Sequence, residues 1–187
     1  MVRLIINCLS GLLLCLPAIN ADAQRFYTKT ARIEFLSKAP LEDIRAVNKT
    51  AAAIMDIKTG AIQYAVLMKG FEFKKALMQE HFNENYIESD QYPKAEFKGV
   101  ITNNSEINYS KNGTYPAIVN GTMTIHGVTK TMKINGTIQI ENGVIFNHTN
   151  FSILLSDFNV SIPAVVKDNI SSRVAIIVAA KLDPVNK

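Results

Sequence analysis

From Thr131 to Glu141 the chain alternates. Met132, Ile134, Ile138 and Ile140 fall on one side, with Thr131, Lys133, Asn135, Thr137 and Gln139 on the other. A period of two marks a strand with one buried face and one wet face. Asn142-Gly143 follows, and both residue types tolerate positive φ, the strongest short signal for a hairpin turn. A two-residue loop there pairs Glu141 with Val144 and places Ile140 opposite Ile145, Ile134 opposite Phe151 and Met132 opposite Ile153. The apolar sets coincide, which supports this register. Asn147 is the exception, because it lands on the apolar face opposite Ile138.

Two further hairpins read the same way. A loop over Gly127 to Lys130 pairs His126 with Thr131, Ile125 with Met132, Met123 with Ile134 and Val119 with Ile138. That register sets Gly121 opposite Gly136, a bare spot between layers rich in side chains, of the kind that marks a bend or a close approach. A turn at Thr59-Gly60 pairs Ile57 with Ile62, Met55 with Tyr64 and Ala53 with Val66. Tyr27 to Leu36, Ala95 to Thr102 and the almost wholly apolar Val174 to Leu182 read as further strands. Only Lys74 to Asn83 breaks the period, with Leu77 and His81, and Met78 and Phe82, at i,i+4 spacing; this predicts about three helical turns. Many strands, short turns and no βαβ alternation predict an all-β fold. The expected architecture is a closed, antiparallel up-and-down barrel of about eight strands with one short helix, because closure removes exposed edges.

The first residues stand apart from this pattern. Arg3 precedes a run, Leu4 to Leu16, that is apolar except for Asn7 and Ser10, and Ala21-Asp22-Ala23 offers small residues at a cleavage site. The order predicts a signal peptide over residues 1–23 and a barrel domain over 24–187. The run is too short for a membrane span, which needs about 18 apolar residues. Both cysteines, Cys8 and Cys15, fall in the leader, and neither follows the small residue that lipid attachment prefers. The expected mature chain therefore has no disulfide and no thiolate chemistry. Its length is enough to bury one core without cross-links. The net charge of +4 is spread among threonines and asparagines, with only Lys74-Lys75 adjacent, so no nucleic-acid surface is expected. Asn-x-Ser/Thr triplets recur, several of them within strand-like segments that could not carry a glycan. Their density reads as an Asn-rich composition and fits a bacterial envelope protein, periplasmic or secreted.

Two segments carry a family resemblance. Phe71-Glu72-Phe73, Leu77-Met78-Gln79-Glu80-His81-Phe82, Glu88-Ser89-Asp90 and Tyr92-Pro93 form one; Gly121-x-Met123-Thr124-Ile125-His126-Gly127-Val128-Thr129-Lys130 forms the other, with Ser156-Asp157-Phe158 nearer the end. Together they resemble the YceI-like domain, from roughly Thr30 to Leu182. The resemblance implies a lipocalin-like barrel of eight antiparallel strands that holds a polyisoprenoid or quinone-like tail, in many members within the periplasm. It implies no set of polar ligand residues here.

Little in the sequence suggests chemistry. His81 and Glu84 share a helix face, but a zincin-type site needs a second histidine and Asn85 stands in its place. His126, at a turn, is expected to satisfy turn backbone groups. No serine has a nucleophile-elbow frame, and the paired acids Glu42-Asp43 and Glu88-x-Asp90 lie in turn-like surroundings, so no enzyme, metal or cofactor is expected. The apolar interior says more. Met55, Tyr64, Val66, Met68, Val119, Met123, Ile125, Met132, Ile134, Ile138, Phe151 and Ile153 are the expected lining of a bore, with Gly121 and Gly136 leaving volume for a guest. Phe73, Met78 and Phe82, with Leu77, would close or support one end. Methionines suit an irregular apolar guest. The expected partner is an isoprenoid, quinone or fatty lipid, bound by shape and burial; a homodimer is left open. The alternative is a solid-core barrel serving as a structural, stress-related or protein-interaction module, since side chains alone can fill eight strands.

Overall fold

The structure, a computed structural model, describes residues 25–185; the expected leader and Gln24 lie outside the described residues. Nine strands form one antiparallel sheet: β1 (Arg25–Lys38), β2 (Asp43–Asp56), β3 (Ala61–Leu67), β4 (Glu72–Phe73), β5 (Lys94–Ile101), β6 (Gly113–Ile125), β7 (Val128–Glu141), β8 (Val144–Leu154) and β9 (Arg173–Pro184). Their order is β1-β9-β8-β7-β6-β5-β3-β2, and β1 pairs again with β2 to close an eight-stranded barrel. The two-residue β4 is extra. It pairs with the first half of β2, at Ala46 and Val47, where β3 has already ended. The helix α1 (Ala76–His81) continues into a π-helical turn, Phe82–Tyr86, so the helical stretch begins two residues later than the periodicity suggests and ends three later.

The hairpins test the expected registers. Asn142-Gly143 turns as read, both residues at positive φ, and Ile140 faces Ile145 with Ile138 opposite Asn147. The ladder stops, however, at Gly136 with Thr149, so Ile134 with Phe151 and Met132 with Ile153 are not ladder partners. Beyond that point β7 and β8 part, and the turn Leu155–Phe158 packs against β7 instead.

The β6–β7 hairpin is tighter than expected. His126 and Gly127 form a two-residue turn with φ of 50° and 73°, the geometry of a type I′ turn. Ile125 therefore pairs with Val128 rather than Met132, a register four residues from the expected one. Gly121 faces Met132 and Gly136 faces Ala117; the glycine pair does not exist. The β2–β3 register is also displaced, by two: Met55 pairs with Ile62 and Ala53 with Tyr64. The cause is Asp56, whose Oδ1 accepts from Lys58 N at 3.0 Å and Thr59 N at 3.1 Å, while its carbonyl takes Gly60 N at 2.8 Å. Such an Asx-type cap builds a four-residue loop over 57–60.

Inside, the barrel has two unlike halves. Around the β2–β3 and β7–β8 turns it is filled: Phe26, Met55, Ile62, Ile101, Ile107, Ile138, Ile140, Ile145 and Leu182 are all buried. Tyr109 seals that end, donating to Asn104 Oδ1 at 2.7 Å, and Asn104 Nδ2 donates to Ile57 O at 2.8 Å. The opposite end is hollow.

Candidate functional site

The hollow half is a cavity of about 540 Å³. Its walls come from alternate residues of the strands: Ile33 and Phe35 of β1, Tyr64 and Val66 of β3, Ala95 and Phe97 of β5, Met123 and Ile125 of β6, Ile134 of β7, Thr149, Phe151 and Ile153 of β8, and Val174, Ile176 and Val178 of β9. The parting of β7 from β8 widens this end, and Phe158 and Val160 from the following segment fill the opening. Met68, Phe71, Phe73, Leu77, Met78, His81, Phe82, Tyr86 and Ile87 supply a helical flank.

That flank is held by rings. Phe35 on the β1 wall lies 5.4 Å from Phe71, 5.5 Å from Phe73 and 5.4 Å from Phe82, measured between centroids, and Phe73 lies 5.1 Å from Phe82. Contacts at this spacing add to area burial. A second tie uses His126. One ring nitrogen, Nδ1, lies 3.2 Å from Phe158 O and the other, Nε2, 2.7 Å from Glu88 Oε2, with the Tyr92 ring edge-on at 4.5 Å. The histidine thus joins the β6–β7 turn to the segments on either side, where the sequence suggested it would serve its own turn's backbone. His81 borders the cavity at the helix.

Two ion pairs adjoin the cavity. Lys75 Nζ meets Glu42 Oε1 at 2.6 Å between the helix start and the β1–β2 turn. Lys94, hydrogen-bonded to Glu96 at 2.9 Å, holds that carboxyl below its usual range. Among the described residues no cluster of three His, Cys, Asp or Glu side chains is placed to hold a metal ion. At the other extreme of the cavity stands Tyr64, whose phenol accepts from Asn147 Nδ2 at 3.2 Å. Burial pushes the Tyr64 hydroxyl up to about 12 against a smaller opposing effect of the Asn147 bond.

Twelve of the residues named from sequence border the cavity: Tyr64, Val66, Met68, Phe73, Leu77, Met78, Phe82, Met123, Ile125, Ile134, Phe151 and Ile153. The others do not. Met55 and Ile138, at 0% and 2% exposure, belong to the filled half. Val119 and Met132 pack against the core outside the cavity. The glycines are crowded rather than empty: a Cβ on Gly121 would meet Gly99 Cα at 2.7 Å and the Phe97 ring at 2.8 Å, and one on Gly136 would meet His148 O at 2.7 Å. Each bare Cα lets a neighbouring strand or ring come close, which uses up the volume the sequence assigned to a guest.

The walls from β1 and β9 were not foreseen. In β1 the signal was present, since Ile33 and Phe35 alternate with Arg32 and Glu34. In β9 it was not. Ile176 and Ile177 look alike in sequence, although only Ile176 borders the cavity.

An eight-stranded antiparallel barrel, filled at one end and holding an apolar cavity at the other, defines a lipocalin-like class of fold. The chain belongs to the YceI-like domain family, whose model matches residues 25–182. Solved structures agree at the level of fold. A polyisoprenoid-binding domain from Saccharophagus degradans, implicated in plant cell wall breakdown, superposes with a TM-score of 0.76 at 12% identity, over 87% of this chain and 99% of that one. BcnA of Burkholderia cenocepacia gives 0.67 at 18% identity, over 81% and 95%. A YceI protein of Campylobacter jejuni gives 0.56 at 16%, over 75% and 84%. No curated protein sequence matches the chain.

Proposed function

We propose that the protein is a periplasmic or secreted binding protein that sequesters or carries an amphiphile with a long apolar tail, of isoprenoid, quinone or fatty type. One observation carries this reading: a cavity of about 540 Å³ lined almost throughout by aliphatic, methionine and phenylalanine side chains. The polyisoprenoid-binding domain of similar fold points the same way. Binding rests on shape and burial without covalent chemistry. Burying ~15 tail carbons at ~0.8 kcal/mol each amounts to about 12 kcal/mol before costs. Association and ordering offset part of that, leaving affinity in the micromolar to nanomolar range. The competing reading, a solid-core structural or interaction module, has only the filled half of the barrel in its favour.

Export is part of the proposal and rests on the leader-like residues 1–23. Native mass spectrometry with lipid extraction, on protein purified from its own envelope, tests both parts. We expect a stoichiometric apolar-tailed lipid and a chain beginning at Gln24. Protein that is lipid-free and takes up no long-chain alcohol or hydrocarbon when delipidated would defeat the binding reading; an intact leader on cytoplasmic protein would defeat export.

A further inference from the structure

The interior changes character at one level. Along β3, Ile62 below Tyr64 belongs to the filled core and Val66 above it borders the cavity. Along β8, Ile145 below Asn147 is core and Thr149 above it borders the cavity. β3 and β8 stand on opposite walls, four strands apart whichever way the barrel is followed. The Tyr64–Asn147 hydrogen bond therefore spans the bore at this level: Tyr64 borders the cavity and forms its floor, and Asn147, not itself a lining residue, lies behind it.

This strut is incompletely satisfied. Asn147 is 8% exposed and its Oδ1 has no partner among the described residues. Its amide donates one hydrogen to the Tyr64 hydroxyl, which among the described residues makes no other hydrogen bond, so the phenolic proton has no acceptor there. If the amide is turned over, Tyr64 donates to the amide oxygen and both amide hydrogens are left over. In either orientation the pair keeps hydrogens without an acceptor beside an oxygen with spare lone pairs, so a group that both donates and accepts, a hydroxyl, satisfies it. Buried polar groups without partners cost roughly 1–3 kcal/mol each, so such a pair is retained where something supplies the missing partner.

We propose that Tyr64, with Asn147 bonded behind it, forms a polar subsite for a neutral hydroxyl of the guest, so that the amphiphile enters polar end first with its tail toward the helix. The inference rests on the proposed lipid-binding reading and adds orientation and headgroup class to it. Neutrality follows from the surroundings. The cation that borders the cavity, Lys75, is paired with Glu42 at the mouth, and the floor is dry enough to hold the Tyr64 phenol protonated well beyond its ordinary range. An anionic head would lie at the mouth instead.

The test compares farnesol with farnesene, an alcohol and a hydrocarbon of the same chain, by equilibrium dialysis against the delipidated mature protein. Tyr64→Phe removes one oxygen and leaves the ring; Asn147→Leu serves as a second variant. We expect each to weaken farnesol at least tenfold while farnesene binding is unchanged or improved, with melting temperature of Tyr64→Phe near that of wild type. If both ligands bind and their affinity ratio is the same in wild type and Tyr64→Phe, the guest oxygen is not at the floor and the proposal fails, while the lipid-binding reading stands. If neither binds wild type, both fall together.

Discussion

Glycine and carboxylate positions show how single residues set local geometry here. Gly121 lies where β5 presses against β6, and a Cβ there would strike the β5 backbone at Gly99 and the Phe97 ring. Gly121→Ala should therefore destabilise the protein by about 1–3 kcal/mol, the usual range for overpacking, although alanine is otherwise the better strand residue. Urea denaturation checks this; an unchanged midpoint would mean the strands can separate at no cost. Glu34 is the second case. It is on the outer face of β1, yet only 7% of it is exposed, because Arg45 and Arg32 lie over it. Hydrogen bonds from Arg45 hold its carboxyl below the usual range, desolvation opposes them, and Arg32 adds to the lowering. A lowered value stabilises the folded state above the ordinary carboxylate pKa, about 4.3, and that contribution fades as pH falls through the lowered value. Melting temperature of Glu34→Gln should thus trail wild type by a constant margin from pH 7 to 5. The margin should close below about pH 4. A margin that widens in acid would show that the pair does not act this way.

At the scale of elements, faces were more legible than registers. Both misplaced hairpins slipped by an even number of residues, two in β2–β3 and four in β6–β7, so every side chain kept its face. Alternation defines the inner face; only the loop chemistry defines the partner. Asp56 closing a four-residue loop and His126 accepting a left-handed conformation both depend on side-chain bonds that spacing does not announce. The cavity was half legible for the same reason. Inner residues were identified along β3, β6 and β8, but nothing in the alternation says at which level the interior stops being filled. Asn147 was the one visible marker of that level, a polar residue on an apolar face. The helical flank is held to the barrel largely by the Phe35–Phe71–Phe73–Phe82 rings, and α1 itself buries no residue fully. Phe82→Ala should consequently loosen this element alone. Hydrogen exchange over 76–87 is expected to accelerate at least tenfold while the ladders of β6, β7 and β8 keep their protection. Uniform acceleration across the barrel would show that the flank is integral to the fold.

For the whole molecule, the division of one barrel into a filled half and a hollow half reconciles the two readings that composition left open. It also makes a sharp comparison possible within a single strand. Ile134 and Ile138 are four residues apart on the same face of β7, and both are buried. Only Ile134 borders the cavity. Ile138 is in the closed end, with Ile140 beside it on the strand and Asn147 opposite. The same substitution should therefore have opposite consequences at the two sites. Ile134→Phe projects its larger ring into open volume, so lipid-free protein should melt near the wild-type temperature, while retention of lipid on purification drops because the tail's path is narrowed. Ile138→Phe has no such volume to enter and should cost about 1–3 kcal/mol through displaced neighbours, while the folded fraction still retains lipid. Melting temperature of delipidated protein and lipid content by extraction, measured on both variants, decide the matter. Equal loss of stability at both sites would mean that the cavity closes when empty, and equal lipid retention would place the tail elsewhere than against β7.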